Sequence, residues 1–174
     1  SYLDKKTRLF YACIMQYIAH CTSLIDTHEY IGRKDGCSMY TNEQLIEFCQ
    51  EAVRIPSYSG QEKGVAEFMK RKMEEYGFDE VIIDKYGSVL GTINGKRPGK
   101  TILMDGHIDT VDVIDAPQWE HDPFGGEIVD GKIYGRGTSD MKGSVAAMVM
   151  AAAGFAKARG HDFAGAGYVS CTGH

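Results

Sequence analysis

Residues 104–113 read MDGHIDTVDV, an apolar, strand-like run that carries Asp105, His107, Asp109 and Asp112 toward its end. Ionisable groups are costly to bury, so such a cluster is either a solvated strand end or a set of ligands held for chemistry. Residues 101–104 read as the strand itself, and in an α/β chain the place just past a strand end is where ligands gather. Asp109 follows His107 at i+2, a spacing that returns both side chains to one face of an extended segment. A carboxylate there can accept the second N–H of the imidazole, fix its tautomer and make the other nitrogen a better metal ligand. Taken alone, the His-x-Asp pattern is more often a capped, solvated strand end than a site.

Outward from this stretch, helices and strands alternate. Thr41 and Gln44 form a capping box, after which Leu45, Ile46, Cys49, Ala52 and Val53 recur at helical spacing until Pro56. Ser59 and Glu62 form a second such box, followed by Val65, Phe68, Met69, Met73 and Tyr76, with Gly77 as a stop signal. Strands are expected over residues 81–83, 88–93 and 101–104, with turns at Asn94-Gly95 and Arg97-Pro98-Gly99. Asp130-Gly131 reads as the turn of a tight hairpin between residues 127–129 and 132–134. An Ala- and Met-rich helix is expected from Met141 to Arg159, closed by Gly160, and residues 167–171 begin another strand. This order predicts an α/β fold, a three-layer sandwich around a mixed, largely parallel sheet, truncated in this chain.

The segment from Trp119 to Gly143, WEHDPFGGEIVDGKIYGRGTSDMKG, changes the weight given to His107. Gly135, Gly137 and Gly143 surround Asp140 and free the backbone to approach an ion or to form an unusual turn. N-capping is the plain role for an aspartate ahead of a helix, but it does not account for glycines on both sides.

Taken together, the motifs resemble the M20 metallopeptidases and their deacylase relatives, the group of acetylornithine deacetylase, succinyl-diaminopimelate desuccinylase, aminoacylase and glutamate carboxypeptidase. The resemblance rests on Ile55-Pro56-Ser57 with Ser59-Gly60-Gln61-Glu62, on Gly106-His107-Ile108-Asp109-Thr110-Val111, and on Trp119 with Asp122-Pro123-Phe124. Gly135-Arg136-Gly137-Thr138-Ser139-Asp140-Met141-Lys142-Gly143 completes it. Several motifs in order are far more specific than any one of them.

The resemblance implies a zinc enzyme, with cobalt as an alternative metal, in which His107 binds one of two ions, Asp140 bridges both, and Asp109 orients His107. It also implies a cis bond between Asp140 and Met141. Two such ions share a water, lower its pKa and polarise an amide carbonyl, hydrolysing a small peptide or N-acyl amino acid without a protein nucleophile. In the family a Glu-Glu pair, general base and zinc ligand, follows the strand that corresponds to residues 167–171. This sequence reaches only Thr172-Gly173-His174. Residues 41–174 are therefore expected to be the N-terminal part of the catalytic domain, inactive or very weak alone, because zinc normally needs about four ligands. The complete family protein can form a homodimer through an inserted domain.

Residues 1–40 read as an appendage of unknown role. Residues 9–19, LFYACIMQYIA, are too short to span a bilayer and suggest a short amphipathic or packing helix. The rival reading is a non-catalytic metallopeptidase-like binding or interaction module, acting through this appendage. An iron or magnesium site built on oxygen ligands fits less well, because an imidazole beside a bridging carboxylate favours zinc. A net charge of −5 argues against nucleic acid and anionic membranes as partners. Five cysteines without close spacing suggest reduced thiols in the cytoplasm. His121 and His161 read as surface residues lacking an acidic partner, Trp119 and Phe124 as packing beneath a loop, and Ser57 and Ser59 as turn and cap residues.

Overall fold

The computed structural model describes residues 40–114 and 116–173. The expected helix over residues 9–19 and the terminal His174 lie outside them. Helix α1, Asn42–Val53, opens on the reciprocal cap read from the sequence: Gln44 N–H donates to Thr41 Oγ1 at 3.2 Å and Thr41 N–H to Gln44 Oε1 at 2.8 Å. It buries Phe48, Cys49, Ala52 and Val53 and stops ahead of Pro56, which disfavours helical geometry in the residue before it. Helix α2, Lys63–Glu75, buries Val65, Phe68, Met69 and Met73. Its end is stapled by Phe78 N–H donating to Met73 O at 3.1 Å across Gly77.

The second capping box does not form. Gly60 stands at φ +82°, a left-handed turn that separates Ser59 from the helix, and Glu62 begins α2 without a side-chain cap. Glu62 Oε1 instead accepts Gly60 N–H at 2.7 Å, and Ser59 is used elsewhere.

Strands β1, Glu80–Ile83, β2, Val89–Asn94, and β3, Arg97–His107, follow. The expected turn at residues 97–99 lies inside β3 as a break in register between Arg97 and Thr101. The hairpin of β4, Glu127–Val129, and β5, Lys132–Tyr134, turns on Asp130 at φ +51° and Gly131 at φ +72°, the left-handed pair that matches strand twist. A wide turn over Thr138–Lys142 leads into helix α3, Gly143–Arg159, and strand β6, Ala164–Thr172.

The main sheet runs β1-β2-β6-β3. It is mixed, as expected, and among the described strands the parallel pairing is that of β3 with β6, the other two being antiparallel. The physical reason is connection length: the short link after β1 permits only an antiparallel neighbour, whereas β3 and β6 are joined through α3. The three helices cover one face, where Phe48, Met69 and Val149 share a core with Val89, Ile93, Val169 and Cys171. Helix α3 is buried on nearly every side, which explains why its apolar residues show no stripe. Each fully buried Val, Met or Phe stabilises the fold by about 1.5–3 kcal/mol. The opposite face has no helix over it among the described residues: Leu103 is 61% exposed and Ile82 45%. The outer helical layer of the expected sandwich is therefore not among the described residues.

Candidate metal centre

His107 is the last residue of β3 and stands opposite Thr172 of β6. The next residue, Ile108, is fully buried and donates its N–H to Thr172 O at 2.9 Å. That anchor fixes the pleat, so His107 and Asp109 meet on the same side. His107 Nδ1 lies 3.1 Å from Asp109 Oδ1 and 3.2 Å from Asp109 O. On the other side of the ring, Nε2 lies 3.0 Å from Asp140 Oδ1. The two sequence candidates for metal binding thus converge on one point, with the third behind them.

Asp140 does not cap α3; the first helical turn is preceded by Lys142, which makes no side-chain cap bond. Its position comes from the glycine-rich turn. Gly137 stands at φ +81°, and a Cβ there would lie 2.7 Å from Thr110 Cγ2, so only glycine lets this turn approach the segment after His107. The Asp140–Met141 peptide bond is cis, as the resemblance implied.

Three residues gain roles the sequence did not suggest. Ser59 Oγ donates to Asp109 Oδ2 at 2.7 Å. Lys142 is completely buried and donates from Nζ to Ile55 O at 2.6 Å, fastening the Asp140 turn to the loop after α1. Burial pushes its ammonium down to about 8. Ser57 is also fully buried, donating from Oγ to Ile108 O at 2.7 Å while its carbonyl accepts Thr110 N–H at 2.7 Å. Local spacing reads the two serines as turn and cap residues; their partners lie some fifty positions away, where such spacing carries no signal.

Partial burial pulls the His107 imidazolium down, but the hydrogen bond to Asp140 and the carbonyl and charge of Asp109 outweigh it and hold the group above its ordinary value. Acceptors beside both ring nitrogens favour the doubly protonated form, and a cation at Nε2 would take the place of that second proton. The donors suit zinc-type chemistry: one imidazole nitrogen, one carboxylate oxygen, and a second carboxylate on the far ring nitrogen. Two ligands of a tetrahedral zinc with bonds of about 2.1 Å stand roughly 3.4 Å apart, so the pair needs to spread only slightly. Among the described residues no third His, Cys, Asp or Glu joins them, which leaves the coordination half filled.

Among the described residues, the other two histidines differ from the sequence reading in having acidic neighbours. His121 Nδ1 lies 2.9 Å from Glu127 Oε2, and His161 Nδ1 lies 3.8 Å from Asp79 Oδ2 and 3.0 Å from Asn94 O. Each therefore has an acidic neighbour, supplied by another element of the fold. Trp119 lies under the Arg136 guanidinium at 4.9 Å, and Phe124 meets Tyr58 edge-on at 6.0 Å.

Residues 103–166, which hold both His107 and Asp140, match the model of Peptidase family M20/M25/M40. The chain is 46% identical over 107 residues to the uncharacterized protein YgeY of Escherichia coli, a match covering 62% of this chain and 26% of that protein. It is 41% identical over 107 residues to a succinyl-diaminopimelate desuccinylase of Cereibacter sphaeroides, covering 60% and 28%. Its fold is similar to that of an M20 family metallo-carboxypeptidase, Sso-CP2 from Sulfolobus solfataricus, with a TM-score of 0.62, 25% identity, and coverage of 75% of this chain and 30% of that one. The chain therefore spans between a quarter and a third of the length of these relatives. By family model over residues 103–166, by relatives and by fold, this chain is similar to the M20/M25/M40 peptidases.

Proposed function

We propose that His107 and Asp140 bind a zinc ion, with cobalt as an alternative, and that residues 41–174 form part of a metal-dependent hydrolase of amide bonds in small peptides or N-acyl amino acids. The observation that carries this reading is the 3.0 Å approach of His107 Nε2 to Asp140 Oδ1, with Asp109 on the far side of the ring. The names of the desuccinylase and metallo-carboxypeptidase relatives support the reaction class.

The chain's own residues divide the work. The Asp109 backbone carbonyl, 3.2 Å from Nδ1, accepts Nδ1–H with its carboxylate alongside, and so keeps the Nε2 lone pair turned to the cation. Asp140, with its side chain 87% exposed, has a second oxygen open to another cation, as a bridging ligand requires. A cation held there supplies Lewis acidity and a water of lowered pKa. Because the described residues fill only two coordination positions, the 174-residue chain is proposed to bind zinc weakly and to hydrolyse little or no amide. The free, buried thiols of Cys49 and Cys171 fit a reducing compartment, and we place the protein in the cytoplasm.

A second reading, a non-catalytic interaction module, draws on the apolar Leu103 and Ile82 exposed on the uncovered face of the sheet. Calorimetric titration with zinc separates the two. Under the metal reading the chain binds at most one ion, and His107→Ala and Asp140→Ala each abolish the binding. Zinc bound equally by the parent and both variants would defeat it.

A further inference from the structure

The carboxylate of Asp140 is 87% exposed, and its bond to His107 is the contact that its side chain makes. Where it stands therefore depends on where its backbone turn stands. The bonds inside residues 135–142, from Lys142 N–H to Gly137 O and from Thr138 Oγ1 to Gly135 O, both at 2.9 Å, fix the shape of the turn. Its place is set by α3, into which it runs, and by two outward ties. Arg136 N–H donates to Pro123 O at 2.6 Å ahead of it, and Lys142 Nζ donates to Ile55 O at 2.6 Å at its end.

The second tie is an expensive one. Lys142 is completely buried, and an ammonium taken out of water costs free energy that an apolar side chain filling the same space does not. What the amine adds is a directed bond, and it donates whether charged or neutral. Its acceptor lies two residues from Ser57, whose Oγ donates to Ile108 O and whose carbonyl accepts Thr110 N–H, each at 2.7 Å. Between the two stands Pro56, whose ring fixes φ. One short, stiff loop thus touches the Asp140 turn at one end and the residues on either side of Asp109 at the other.

We propose that Lys142 is a positioning residue for Asp140. Its bond to Ile55 holds the turn against the loop that also carries the His107–Asp109 segment, and so sets the separation of His107 from Asp140. Without the amine, the exposed carboxylate moves away from the imidazole with its turn. The consequence for zinc rests on the reading of the site given above; the consequence for the separation does not.

The test uses the full chain without metal. A nuclear Overhauser contact between the His107 ring protons and the Asp140 β-protons reads the separation directly. The parent should show it, and Lys142→Met should lose most of its intensity. Zinc titration of that variant should show Kd weakened roughly tenfold, the low end for residues that orient a ligand. Val149→Ala, which hollows the core further along α3, should keep the contact whatever it costs in stability. Lys142→Leu gives the same comparison should the Met chain not fold. A folded Lys142→Met or Lys142→Leu chain with the contact at parental intensity would overturn the proposal. Failure of both to fold would make Lys142 a purely structural residue and overturn it as well. A parent chain without the contact would defeat the convergence of the site itself, and this inference with it.

Discussion

Asp109 and Asp140 address the same imidazole from opposite sides, yet the chain holds them in opposite ways. Asp109 is buried, sits on extended backbone tied to β6 through Ile108, and has a hydroxyl bonded to one carboxylate oxygen and the imidazole 3.1 Å from the other. Asp140 sits on a glycine-shaped turn with its side chain 87% exposed, and its contact with His107 is its one cross-chain anchor among the hydrogen bonds and ion pairs of the site. A buried carboxylate must have its partners in place, because leaving one without them costs free energy; an exposed one need not. The first is therefore part of the fold, and the second is free to serve a ligand.

Substitutions should separate the two. Asp109→Ala removes the acceptor for Ser59 and the carboxylate beside His107 Nδ1, and urea unfolding should show a loss of about 2–3 kcal/mol. A loss under half of that would mean that Asp109 is as loosely held as Asp140. Gly137→Ala puts a side chain at φ +81° against Thr110, and the same measurement should show a loss of about 1–3 kcal/mol. Unchanged stability there would mean that the Asp140 turn adjusts readily and does not need its close approach.

Ser57→Ala takes a buried donor from Ile108 O and should lower stability by about 1 kcal/mol, sharpening how much of Asp109's placement comes from the strapped loop. Asp140→Ala should be the mildest, within about 0.5 kcal/mol of the parent in unfolding, while zinc binding disappears in calorimetry. Asp140→Ala that destabilises as much as Asp109→Ala would erase the contrast.

Much of this was legible along the chain. The i+2 spacing of His107 and Asp109 survives because two extended residues keep their faces whatever the rest of the sheet does. Asp140 was marked by its glycines, whose conformational freedom the turn does use at Gly137. The cap at Thr41 was legible because donor and acceptor are three residues apart. Ser59 was misassigned for the same kind of reason: Glu62 three positions later fits a cap, and only the left-handed Gly60 and the distant Asp109 redirect the hydroxyl. Lys142 showed nothing beyond a charge beside a helix, since its carbonyl partner, Ile55, lies in another loop. Which strands of the sheet pair in parallel was not legible, because strand order depends on which strands β6 slips between, and that is a long-range choice.

The parallel partnership of β3 and β6 has a consequence in time. His107 leaves its strand beside Thr172, so its place is set by a neighbour that enters the chain only after the β4–β5 hairpin and the whole of α3. Contacts of such sequence separation form late, because the intervening loop must close before they repay it. A growing or refolding chain thus carries every atom of the imidazole–carboxylate pair long before it has the pair, whose geometry arrives with β6.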